Sequence, residues 1–277
     1  MKQECKVDEA TRRLLTELAE RYETPEFIVG DPSWWMHQVE GDRNREATAF
    51  VAQALSYGSR QQFMPRIGHL LDLAGGDMDG WLRNGLYRNH FAPDDKACFY
   101  RLYNRATMYT FFEAYSLLLN RHGSMGEFLN ERVRSSEFGV RRYPGAAAST
   151  PNSELRTPNS SLAALELICG WFTEHGASAV VPKDTTSACK RVCMFLRWMV
   201  RDGSPVDLGL WTFIDKRTLV MPLDTHVVSE AMTLGLLNSR SASMSAARRL
   251  TAAMAEVFPD DPLRGDFALF GYGVSKG

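Results

Sequence analysis

TSACKRVCMFLRWMVRDG, residues 186–203, is the stretch on which the fold turns. Phe195, Leu196, Trp198 and Met199 recur at helical spacing, and Gly203 ends the run, as a glycine commonly ends a helix. Lys190, Arg191, Arg197 and Arg201 interleave with these apolar residues, and no acid falls within 186–201. A helix with so much apolar surface is largely buried, so its basic residues face a partner or a cleft. Two readings of the charge stay open. One is phosphate binding at and near the helix N-terminus, where free N–H groups and the dipole favour anions. The other is a solvated face whose arginine stems lie along the core.

The same period runs outward in both directions. Apolar residues at spacings of three and four mark 10–23, 45–58 and 63–76, the last ending in a glycine pair. A long run at 101–123 stops at Gly123 and another at 160–176 stops at Gly176, with two more at 225–237 and 243–258. Alternating runs are scarce, and only RTLVM at 217–221 suggests a strand. The fold class expected is all-α, with residues 1–277 forming one domain. YPGAAASTPNSELRTPNSS at 143–161 stands apart, because its Pro, Ser, Asn and Ala content cannot bury enough apolar area to order itself. It is expected to be a flexible exposed loop between helical lobes.

Composition narrows the function. Lys and Arg number 32 against 33 Asp and Glu, a formal charge of -1, so a basic nucleic-acid coat is excluded while a local basic patch is not. No window approaches the roughly 18 apolar residues of a membrane helix. The charged start, MKQECKVDEATRRLL, has no apolar signal region, and five scattered cysteines suit a reducing compartment, so a cytoplasmic protein is expected. Cys189 and Cys193 sit four apart and offer half a zinc site. No Cys or His pair nearby completes it, so they read as core-facing thiols, and neither metal nor cofactor is expected.

Two residues carry chemistry. Lys190 lies close to the start of the basic helix. Asp224, in MPLDTHVV at 221–228, is a natural N-cap for the helix that follows. Around them, KRVCMFLRWMVR (190–201), VDLGLW (206–211), PLDTHV (222–227) and DFALFGYG (266–273) resemble a bacterial group of helix-hairpin-helix DNA glycosylase relatives. The LDTHV and LGLL segments match that superfamily, and ALSYGSRQQ at 54–62 resembles its early segment that wedges into the duplex. VPKDTTSACK at 181–190 departs from the superfamily's glycine-rich hairpin, having no glycine.

The resemblance implies an all-α protein of two helical lobes with a cleft between them. It also implies a DNA glycosylase that flips a modified or damaged base from double-stranded DNA and cleaves its N-glycosidic bond. Asp224 would stabilise the oxocarbenium-like sugar or activate the nucleophile. Lys190 would either attack the sugar and form a Schiff base, giving abasic-site lyase activity, or steady a phosphate while water attacks. Ser59, Arg60 and Gln61 are expected at the gap left in the duplex, and Arg191, Arg197 and His226 at the DNA backbone. Trp34, Trp35, Tyr57, Trp198 and Phe267 are candidates to sandwich the base. The substrate expectation extends to a hypermodified cytosine, glucosylated and hydroxymethylated, in phage DNA, as an antiviral defence. Ordinary excision of oxidised or alkylated purines competes with it. A non-catalytic helical DNA-binding module and a protein-interaction domain are the other classes, and no obligate protein partner or membrane is implied.

Overall fold

The computed structural model describes residues 7–134 and 160–275. They are predominantly helical, as the periodicity predicts. The helices are α1 (Glu9–Tyr22), α2 (Asp42–Leu55), α3 (Arg60–Leu73), α4 (Met78–Arg83), α5 (Arg105–His122), α6 (Met125–Arg134), α7 (Ser161–Glu174), α8 (Lys190–Val200), α9 (Thr225–Thr233), α10 (Met244–Val257) and α11 (Arg264–Ser275). No helix among the described residues is long and apolar enough to cross a membrane. Of the segment 143–161, all but Ser160 and Ser161 lies outside the described residues. Ser160 caps α7 by accepting from Ala163 N, and both serines are buried.

Two readings need correction. Residues 101–104 do not begin a helix. Cys98–Tyr100 (β1) and Tyr103–Asn104 (β2) pair as an antiparallel hairpin turned by Arg101 and Leu102, and the helix starts behind the Asn104 cap. Nor is RTLVM a strand. It begins inside a 3-10 turn, Lys216–Thr218, and continues as buried extended chain whose Met221 N–H donates to Thr251 Oγ1.

The core is built around α2, which is buried from Glu46 to Leu55. Phe50 on α2 meets Phe111 of α5, Phe172 of α7 and Phe195 of α8, the last two at centroid separations of 5.1 and 5.0 Å. Offset and edge-on rings of this kind contribute beyond their buried area. The α2 helix also supplies Glu46, whose buried carboxylate accepts from Met125 N at 2.6 Å, Gly126 N at 3.1 Å and Trp211 Nε1 at 2.9 Å. A Cβ at Gly126 would stand 2.5 Å from that indole nitrogen, so only glycine fits there.

Helix α11 packs between α1 and α9. Its approach to α1 is close, since a Cβ at Gly271 would lie 2.3 Å from Tyr22 Cγ. A buried ionic network ties the same region together. Arg197 Nε donates to Asp207 Oδ1 at 3.2 Å and its Nη1 donates to Asp266. Arg201 is shared among Asp207, Asp261 and Glu23, with Arg264 also on Glu23 at 3.2 Å.

Candidate functional site

A cleft of about 1070 Å³ opens where the N-terminal ends of α3, α8 and α9 converge on α11. Lys190 is the first residue of α8, and the turn before it is forced. Cys189 stands in the left-handed region, with φ 46°, so the chain swings into the helix with Lys190 on the cleft wall. Asp224 caps α9 by accepting from Val227 N at 2.8 Å. Its other oxygen, Oδ2, lies 3.6 Å from Lys190 Nζ. The lysine is 38% exposed and the aspartate 10%, so the pair is set back from bulk water while remaining open to a ligand.

A second pair lies in the same cleft. Arg60, first residue of α3, reaches Asp31 Oδ2 at 3.4 Å, while Asp31 Oδ1 accepts from Ser33 N and Oγ. The Arg60 guanidinium sits 5.1 Å over the Phe270 ring. Phe270 in turn meets Phe27 and His226 edge-on, at 5.8 and 6.0 Å. Phe27, Phe63, Tyr57 and Phe270 are the aromatic lining.

The expected base-pocket residues fall largely elsewhere. Tyr57 lines the cleft. Trp198 and Phe267 are fully buried and do not line it. Trp198 is on the core face of α8. Phe267 lies under Arg197 and Arg201, whose guanidinium carbons stand 4.5 and 5.1 Å from its centroid. Trp35 packs on α3 at Gly68, and Trp34 is on the surface outside the cleft.

The basic helix also turns out differently. Arg191 is anchored by donating to Ala54 O, to Tyr103 Oη at 2.8 Å and to Val180 O at 3.0 Å. Arg197 lines the floor of the cleft but is clamped by Asp207 and Asp266, and is only 4% exposed. Arg197 is thereby closed off from a DNA backbone, whereas Arg191 is half-buried and still lines the cleft. Besides Arg191 and the clamped Arg197, Lys190, Arg60, Arg240 and His226 are the cationic and imidazole groups at the cleft. Ser59 and Gln61 are exposed beside it, flanking Arg60.

Residues 31–275 match the model of a family described as "Protein of unknown function (DUF2400)". The chain belongs to that family. No curated protein and no solved structure matches it. The DUF2400 match takes in every cleft residue named above except Phe27, which precedes it together with α1.

Several features of this chain at or beside the cleft are not legible in its sequence alone. The hairpin tip is one. Leu102 is 87% exposed, Arg101 next to it has φ 50°, and Leu102 N donates to Tyr57 Oη at 3.2 Å. A bare leucine is thereby held on a strained turn beside the aromatic lining. Asp31, Asp266 and Phe270 are others. Asp266 and Phe270 are four apart, on one face of α11, a spacing visible in DFALF. Among the described residues no three His, Cys, Asp or Glu side chains are placed to hold a metal ion.

Proposed function

We propose that this chain is a DNA N-glycosylase of the helix-hairpin-helix kind, with two helical lobes and the cleft between them as its active site. The reading is carried by the Lys190–Asp224 pair, an amine and a carboxylate 3.6 Å apart on the wall of a cleft large enough for an extruded base. A glycosylase needs those two groups near the sugar once the base has been taken from the stack. As the N-glycosidic bond breaks, positive charge develops on the sugar. Asp224 is held by its cap bond to face that charge, and a fixed carboxylate in a recessed site stabilises it more than water would. The sugar carbon is then attacked by water, or by the Lys190 amine to give a Schiff base and strand cleavage.

The other parts have matching roles. Phe27, Phe270 and Tyr57 offer faces for a stacked base. Leu102 is an apolar wedge of the sort that enters a base step and props it open. Arg60, Arg240 and His226 supply phosphate contacts around the mouth. The volume leaves room for a base carrying a bulky polar substituent, so a glucosylated hydroxymethylcytosine of phage DNA stays the substrate of first interest, with damaged purines as the alternative. A binding module that works through its basic helix is disfavoured, because Arg197 and Arg201 spend their donors on buried carboxylates.

The test is base release. The purified chain is incubated with unmodified bacterial DNA, with duplexes bearing oxidised, alkylated or deaminated bases, and with phage DNA carrying the glucosylated base. Freed bases are identified by mass spectrometry. Release that is lost in Asp224→Asn supports the reading, and no release from any of these DNAs refutes it.

A further inference from the structure

Asp224 is not the only carboxylate that opens on the cleft. Asp266, in the first turn of α11, does so too, and α11 packs against α9, which Asp224 caps. Their surroundings differ. Asp224 opposes Lys190 and holds the Val227 N–H. Asp266 is 4% exposed, and its cation is Arg197, which it shares with Asp207.

Among the described residues, the network behind Asp266 is one cation short. Three guanidinium groups (Arg197, Arg201 and Arg264) serve four carboxylates (Glu23, Asp207, Asp261 and Asp266). Surplus negative charge in a buried network is relieved by holding a proton. Of the four acids, Asp266 is the one that lines the cleft, so it is the one placed to pass that proton to a ligand.

We propose that Asp266 is the general acid of base release, giving its proton to the departing base while Asp224 faces the sugar. This rests on the glycosylase reading above. Two carboxylates held in unlike environments is how glycosidic cleavage divides acid from stabiliser. Burial pushes the Asp266 carboxyl up to about 6, against the opposing pull of Arg197 and with the help of the neighbouring Asp224 charge. The charged and titratable groups that face it are Arg197 and the Cys193 thiol from α8, Asp207 from the segment after α8, and Asp224 at the cap of α9, with Asp31 acting on Arg197. Glu23, which follows α1, is held by Arg201 and Arg264.

The step balances as follows. The Asp266 proton goes to a ring nitrogen or carbonyl oxygen of the base, and the electron pair of the C1′–N bond goes with the base. The base leaves neutral, Asp266 becomes a carboxylate, and the sugar carries the positive charge opposite Asp224. Water then bonds to C1′ and gives a proton to Asp224, which releases it to solvent. Solvent returns a proton to Asp266.

The experiment is a single-turnover rate of base release by the full chain, on whichever of the DNAs above the wild type acts upon, from about pH 5 to about pH 8. The wild-type rate should fall as pH rises through about 6, approaching a tenfold loss per unit, because the protonated form is the active one. Asp266→Asn should lower the rate by roughly 10²–10⁴-fold and flatten that fall, with affinity for the same DNA unchanged. A wild-type rate that does not vary over the range overturns the proposal without any variant, which covers the case of an Asp266→Asn chain that does not fold. A folded Asp266→Asn chain with the wild-type rate and profile overturns it too, and leaves the glycosylase reading standing because base is still released. No release by the wild type overturns both.

Discussion

Arg197 Nε lies 3.2 Å from Asp207 Oδ1, and both side chains are almost wholly buried. The central cation of the basic helix therefore holds the fold together and is not a handle for phosphate. Arg197→Met should cost about 3–5 kcal/mol, because Asp207 and Asp266 would each lose a buried partner. Urea denaturation measures it. A variant as stable as the wild type, with only weaker DNA binding, would show that Arg197 serves the DNA instead.

Lys190 separates two mechanisms that share one cleft. If its amine attacks the sugar, borohydride added during the reaction should trap a covalent protein–DNA adduct, and Lys190→Ala should abolish it. If water attacks, no adduct forms and Lys190→Ala still releases base at a reduced rate. Asp224→Asn should slow release by roughly 10²–10³-fold in either case.

The hairpin makes a prediction that sets function apart from stability. Leu102 touches solvent over most of its surface, so Leu102→Ala should change unfolding stability by no more than about 0.5 kcal/mol. Base release from duplex DNA should nevertheless fall, while release from single-stranded DNA, which needs no wedge, should be spared. Equal losses on both substrates would count against a wedge.

Glu46 gives stability a pH dependence of a definite sign. Burial pushes its carboxyl up from 4.5 to about 7, opposed by the bonds from Trp211, Met125 and Gly126. The folded state thus binds a proton that the unfolded chain, titrating near 4.5, has already lost. The stability this group contributes is fully present below pH 4.5 and is lost as pH rises through about 7. At roughly 1.4 kcal/mol per unit the swing is on the order of 3 kcal/mol. Melting temperatures of the wild type between about pH 5 and about pH 8, compared with Glu46→Gln, should show the dependence flattened in the variant.

Much of this was legible in the sequence, for identifiable reasons. The helix read at 186–201, which the structure begins at Lys190, and the cap at Asp224 are local signals, written in apolar spacing and in an aspartate just ahead of a helix. The roles expected of Lys190 and Asp224 rest on a resemblance carried by four motifs, and their 3.6 Å separation is seen only in the fold. Local signals could not say where the arginines of α8 point. Their partners are remote in sequence, with Glu23 lying 178 residues from Arg201 and Asp266 lying 69 from Arg197. The aromatic residues failed for a related reason. Trp198 and Phe270 are equally apolar, and only packing decides that one is core and the other lines the cleft. The hairpin was hidden because its last residues run into the apolar period of α5.

Helix α1 lies outside the residues that match the family, yet Tyr22 seats against Gly271 and Glu23 joins the buried ions around Arg201. The unit that folds is thus larger than the unit that sequence likeness picks out. A chain begun at residue 31 would keep nearly all the cleft and lose the buttress behind α11, so whoever trims this protein to its recognisable part removes a support of the very helix that carries Asp266.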